Sequence, residues 1–210
     1  MKKLLFLFVS SILLSCSNDS NDNSGETTNS VAFFKATVGS TTLNYIQDNS
    51  SNPSYYNQPY VGYSGISSNR SYYYAAAMVP FSGFDDFPSL ELTMHNMYQS
   101  DDEASETVNF NTTFAVKPVN FITYEQDNNL VKGVSVTYKN ANGDLYTTLA
   151  GSQDNSAIMY NTGVAGTNDF GFQTQTITGS VNCKLYNEND VNDVIVLTNG
   201  TFKLVFQEFD

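Results

Sequence analysis

The sequence predicts an all-β fold, an antiparallel β-sandwich of meandering hairpins. Three observations lead there. From Val31 onward, apolar and polar residues alternate with period two, and Thr, Val, Tyr and Phe fill the runs. Asn, Gly and Asp interrupt the runs at short intervals, which is turn chemistry. No window shows a convincing helical stripe.

The elements follow in order. Residues 31–38 and 41–46 form the opening hairpin, and the polar stretch 49–58 reads as a loop. Strands are expected at 62–67, 72–79 and 89–96. Ala75 to Ala77 belongs to a strand, because three tyrosines precede it and Val79-Pro80 follows. Further strands are expected at 107–116, 119–124, 131–139, 144–150, 157–160, 170–186, 193–198 and 201–206. Asn142-Gly143 and Asn199-Gly200 each mark a tight hairpin of the type that needs positive φ at two residues. Gly179 inside 170–186 suggests a bend or bulge. A calycin-like β-barrel is the alternative arrangement of the same strands. Residues 31–210 read as a single domain, a size common for one sandwich or barrel.

Ahead of the domain stands an export signal. Lys2 and Lys3 precede an apolar run from Leu4 to Leu14. That run is too short to span a bilayer, but it suits a signal peptide over residues 1–15. Leu13-Leu14-Ser15-Cys16 resembles the bacterial lipobox, which implies lipidation of Cys16. Residues 16–30 then form the lipidated Cys and a polar tether without an apolar side chain to bury. The expected location is the outer membrane, through the lipid anchor, with the domain displayed at the cell surface. Cys183 remains as the one thiol. Val181, Cys183 and Leu185 alternate with Asn182 and Lys184, so a buried, inert thiol is expected.

Composition excludes several functions. Lys plus Arg number 9 against 21 Asp plus Glu, for a net charge of −12. No basic patch exists to neutralise phosphates, so no nucleic-acid partner is expected. One His and two distant Cys cannot close a zinc site. No metal and no cofactor is expected.

The two ends of the domain carry a grammar of their own. Phe34-Lys35-Ala36-Thr37-Val38-Gly39 opens it. Ile177-Thr178-Gly179-Ser180-Val181, an acidic hairpin at 187–193, and Val194-Ile195-Val196-Leu197-Thr198-Asn199-Gly200-Thr201-Phe202 close it. Together with the lipobox, this resembles small Bacteroidota-type lipoproteins of the DUF6252-like kind. The resemblance implies location and fold. It transfers no site residue.

Few residues point to chemistry. His95 is the only histidine. In the strand around it, Leu90, Leu92 and Met94 share one face, and Glu91, Thr93 and His95 share the other, so His95 is expected toward solvent. No Gly-x-Ser-x-Gly elbow accompanies it, and neither a Ser-His-Asp hydrolase nor a Cys183–His95 dyad is indicated. The acids at Asp85-Asp86, Asp101-Asp102-Glu103, Glu188, Asp190 and Asp193 sit in turns and read as solvated loop charges. The loop 187–193 offers oxygen atoms suited to calcium, yet Asn and Asp favour such turns without a metal.

Tyrosine is the unusual feature. Seven of the 14 fall between positions 55 and 74, with Asn57, Gln58, Asn69 and Arg70 among them. Tyr offers an apolar face and a polar edge at low entropy cost. The candidate ligand-binding residues are Tyr55, Tyr56, Tyr60, Tyr63, Arg70, Tyr72 and Tyr74. The expected function is therefore non-catalytic: a cell-envelope lipoprotein whose β-domain binds a glycan or an envelope protein. The alternative is a structural or assembly subunit of an envelope complex. That alternative expects an exposed apolar patch or an unpaired edge, with the terminal strand 202–209 as its candidate.

Overall fold

The computed structural model describes residues 32–47, 54–64, 70–81, 88–100, 106–115, 120–161 and 163–208. Cys16, the signal peptide and the tether lie outside the described residues, as do Asp85-Asp86 and Asp101-Asp102-Glu103.

Among the described residues, eleven strands form one antiparallel sheet, nearly closed and barrel-like. They are β1 (Phe33–Val38), β2 (Thr41–Ile46), β3 (Tyr55–Ser64), β4 (Arg70–Pro80), β5 (Ser89–Ser100), β6 (Gly133–Lys139), β7 (Leu145–Thr147), β8 (Ala157–Tyr160), β9 (Val164–Thr167), β10 (Gln173–Asn187) and β11 (Val194–Gln207). The order is β2-β1-β11-β10-β7-β6-β5-β4-β3. β10 shares its second edge among β9, β8 and β7 along its length. The all-β, antiparallel expectation holds, with the strands in one nearly closed, barrel-like sheet.

Alternation explains the core. Phe34, Ala36 and Val38 of β1, Leu90, Leu92 and Met94 of β5, and Phe202, Leu204 and Phe206 of β11 point inward and are buried. Cys183 lies among them on β10, as its spacing predicts. Burial pushes its thiol well above the usual range.

Two expected strands do not form. Of the segment 107–116, residues 107–115 belong to α1 (Glu106–Ala115), and residue 116 lies outside the described residues. Its composition favours a strand, but a helix sets Phe110 and Phe114 one turn apart on one face. Both rings pack edge-on to Tyr74, and Phe114 also meets Phe206. Packing outweighs β-propensity here. Among the described residues of the segment 119–124, Phe121 makes a single parallel bridge to Val134 before α2 (Tyr124–Asn128) begins. Thr123 and Gln126 form a capping box that starts this short helix.

The two Asn-Gly pairs diverge. Asn142-Gly143 does join β6 to β7. There a type I turn ends on Gly143 at φ 86, and Asn140 and Asp144 close the loop, so it has three residues rather than two. Asn199-Gly200 is not a hairpin. β11 runs straight through it, with Asn199 at φ 52 in a bulge opposite Asn182. The strand must continue because β10 offers it a partner on both sides of the bulge. Gly179 likewise interrupts nothing. A Cβ there would lie 2.3 Å from Met159 O and 2.5 Å from the Phe202 ring, so its role is close packing.

Candidate functional site

The outer face of β3–β6 carries the site. One cross-strand row runs Tyr60, Ala75, Thr93, Ser135, and the next runs Gln58, Ala77, Glu91, Thr137. Ala75 and Ala77 keep the middle of this floor low. Tyr73 leans over it from β4, with room to do so because its partner is Gly62. A Cβ on Gly62 would fall 2.2 Å from the Tyr73 hydroxyl. The Tyr73 and Tyr60 rings meet edge-on at 6.5 Å. Burial, with the Glu91 charge close by, drives the Tyr60 pKa far upward. Thr93 Oγ1 donates to Glu91 Oε1 at 2.6 Å.

α2 forms the opposite wall. A bulge in β5 sets three residues, His95 to Met97, against Tyr73 alone. Asn96 sits there at φ 54, a conformation Asn tolerates better than most residues. The bulge lets neighbouring side chains, which would point to opposite faces in a regular strand, reach the same carboxylate. His95 Nδ1 lies 3.0 Å from Asp127 Oδ1, and Asn96 Nδ2 donates to that oxygen at 2.8 Å. Asn96 Nδ2 also donates to Val131 O, and Ser71 Oγ donates to Asn96 Oδ1. Gly133 permits the approach of the segment leading into α2. A Cβ there would lie 2.1 Å from Ile122 Cγ2 and 2.9 Å from Asn120 O.

The second ring nitrogen completes a chain. His95 Nε2 lies 2.8 Å from Ser135 Oγ. A carboxylate only accepts, so Asp127 requires the proton on Nδ1, and Nε2 then accepts from the Ser135 hydroxyl. Burial lowers the His95 pKa, while Asp127 and Glu91 oppose that shift. The ring is therefore neutral at neutral pH.

These groups line a cleft of about 270 Å³ with Tyr60, Tyr73, Thr137 and Leu149 at its sides. Two larger grooves flank β8. One of about 620 Å³ lies between residues 120–126 and 151–158, and one of about 600 Å³ runs along Met159 to Asn161. The smaller cleft is where charged and polar side chains converge.

The seven expected ligand-binding residues are divided by this geometry. Tyr60 reaches the cleft and is 40% exposed. Tyr63 is exposed and Tyr56 half-buried on the same strand. Tyr72 and Tyr74 are core residues, at 0% and 1% exposure, and no ligand reaches them. Tyr72 stacks on Tyr98, and Tyr74 packs on the α1 phenylalanines. Tyr55 stacks on Tyr45 at 4.2 Å and packs against the core. Period two explains the split, since near-continuous tyrosines must serve both faces. Arg70 opens β4 opposite Ser100, and its side chain lies outside the described part. His95 is on the expected face but is 9% exposed, because α2 covers it.

Tyr73, Asn96, Asp127 and Ser135 are additions that strand reasoning missed. The signals were the Thr123–Gln126 capping spacing and the glycines at 62 and 133. The acidic hairpin 187–193 satisfies itself: Tyr146 and Asn187 donate to Asp193, and Asn187 and Asp190 accept from nearby backbone. The terminal strand is not an open edge: Phe202 and Phe206 are core, β11 lies between β1 and β10 as far as Lys203, and beyond it β10 pairs one side while the Asn57 side chain bonds the other at Val205. Among the described residues, no three metal-ligating side chains cluster.

No family model, curated protein or solved structure matches this chain.

Proposed function

We propose that this chain is a cell-envelope lipoprotein, anchored to the outer membrane through Cys16, that binds a hydroxyl-rich ligand, a glycan, in the cleft between β3–β6 and α2. One observation carries the reading. Two tyrosine rings, Tyr60 and Tyr73, border a floor of alternating acceptors and hydroxyls: Glu91, Thr93, Ser135 and Thr137. Aromatic faces suit sugar rings, and the carboxylates and hydroxyls suit sugar OH groups. Glu91 and Asp127 in so small a space disfavour anionic ligands.

The test is thermal. Purified protein is screened against oligosaccharides and cell-wall fragments. A ligand at 100 times its Kd adds about 2.7 kcal/mol, a shift of several degrees at this size. Tyr60→Ala and Tyr73→Ala should abolish the shift, and Tyr63→Ala should keep it. A flat screen across neutral sugars counts against the reading. Labelled palmitate, incorporated by the wild type and lost in Cys16→Ser, tests the anchor.

A second reading is a subunit of an envelope assembly. Among the described residues β8 and β9 pair only with β10, and Met159 and Val164 on them are each 69% exposed. A strand added there by a partner would slow amide exchange at 157–160 in intact membranes. Equal exchange in membranes and in purified protein would set this reading aside.

A further inference from the structure

The cleft holds more than binding needs. Asp127, His95 and Ser135 form one hydrogen-bonded line, with contacts of 3.0 and 2.8 Å. Each member comes from a different element: α2, the β5 bulge and the middle of β6. Each is held by neighbours. Asn96 fixes the carboxylate, the bulge fixes the ring, and Ser135 sits in the ladder opposite Thr93. The order carboxylate, imidazole, hydroxyl is the one that turns a serine into a nucleophile. A serine hydroxyl satisfied for structure alone needs only a backbone acceptor. Here it donates to the single ring nitrogen able to remove its proton, at the floor of a cleft.

We propose that Ser135 is an activated nucleophile that accepts an acyl group from an ester-bearing ligand of the cleft, an O-acylated sugar with a short acyl chain. The proposal rests on reading the cleft as a ligand site. The size of about 270 Å³ accommodates an acetyl-sized group. In the step, Ser135 Oγ bonds to the ester carbonyl carbon and its proton passes to His95 Nε2. The bond from that carbon to the sugar oxygen then breaks, and the proton passes from Nε2 to the leaving alkoxide. The products are an acyl-serine and a free hydroxyl, with no change in oxidation state. Asp127 holds the imidazolium while it exists.

The test uses the whole purified chain and phenylmethanesulfonyl fluoride, small enough for the cleft. Ser135 Oγ displaces fluoride from sulfur by the same proton path. The expected result is one sulfonyl group on the peptide containing Ser135, located by mass spectrometry. Ser135→Ala should carry none there, and His95→Gln should label about 100-fold more slowly, the scale of lost general-base help. Labelling at the same rate in folded His95→Gln, or none at Ser135 in the wild type, overturns the proposal. If a variant fails to fold, wild-type labelling decides. Sugar binding is measured on the same wild-type sample. A thermal shift without the adduct defeats only the nucleophile, and an adduct without any sugar shift defeats only the glycan reading.

Discussion

The side-chain amide of Asn57 pairs with the backbone of Val205 as another strand would. Its Nδ2 donates to Val205 O at 2.8 Å, and Val205 N donates to its Oδ1 at 3.1 Å. β1 pairs with β11 only up to Lys203, so this end of β11 lacks a strand on that side. Gln47, just past β2, adds a third bond by accepting from Asn57 N at 2.8 Å. Two amide side chains thus stitch β3 to the far end of the sheet.

Asn57→Ala should therefore loosen the barrel at its seam. It strips two backbone groups of their partners, each part-buried, at a cost of about 1–3 kcal/mol. The melting temperature should fall by several degrees. Amide exchange should rise at Val205 and in β3 before it rises in β5 or β6, and uniform protection would show the seam to be incidental.

Gly62 should prove as important as the tyrosine above it. Gly62→Val forces the Tyr73 ring off β3, at a cost of about 1–3 kcal/mol for overpacking. The double variant Gly62→Val with Tyr73→Ala removes the collision and should melt higher than Gly62→Val alone. Additive losses in the pair would show that the ring is not what the glycine accommodates.

His95 should give the domain a simple acid dependence. Its pKa in the folded chain lies below its ordinary value of 6.5, chiefly through burial. Below about pH 6.5 the unfolded chain takes up a proton that the folded chain refuses, so stability falls as pH falls. Above pH 7 both forms are neutral and the contribution is flat. No other histidine titrates in this window, and Asp193, whose pKa is lowered, acts only below about pH 4. Melting temperatures should be level from pH 8 to 7 and decline from 7 to 5. His95→Gln should lose that decline, and the same slope in the variant would place the effect elsewhere.

Cys183 should be silent to thiol reagents in the folded protein. It is 2% exposed, and burial raises its pKa far above neutrality. A fragment that begins after Cys16 should show no reactive thiol at pH 8 and one after denaturation. Fast reaction in the native fragment would mean that β10 opens locally.

Much of the fold was legible. Inward positions such as Phe34, Leu92, Cys183 and Leu204 follow from alternation alone, because a strand has only two faces. The acidic hairpin at 187–193 and the turn at Asn142-Gly143 follow from turn chemistry. The site was half legible. His95, Glu91 and Thr93 share a face in the sequence, and Tyr60 stands out by composition. Asp127 is another matter: it lies 32 positions from His95 in the chain, on a short helix in the stretch between two expected strands.

What the sequence by itself determined is the period, and with it the all-β class, the core faces and most turns. Tertiary structure decided what lies over those faces. Phe110 and Phe114 became helical because the rings of Tyr74 and Phe206 waited at that spacing. Asn199-Gly200 became a bulge because β10 continued beside it. His95 was buried because Gly133 let the segment before α2 come close. Local pattern encodes direction, toward the core or away from it. Contact across the sheet depends on chain closure and on room left by small residues, and neither can be read from nearest neighbours in the sequence.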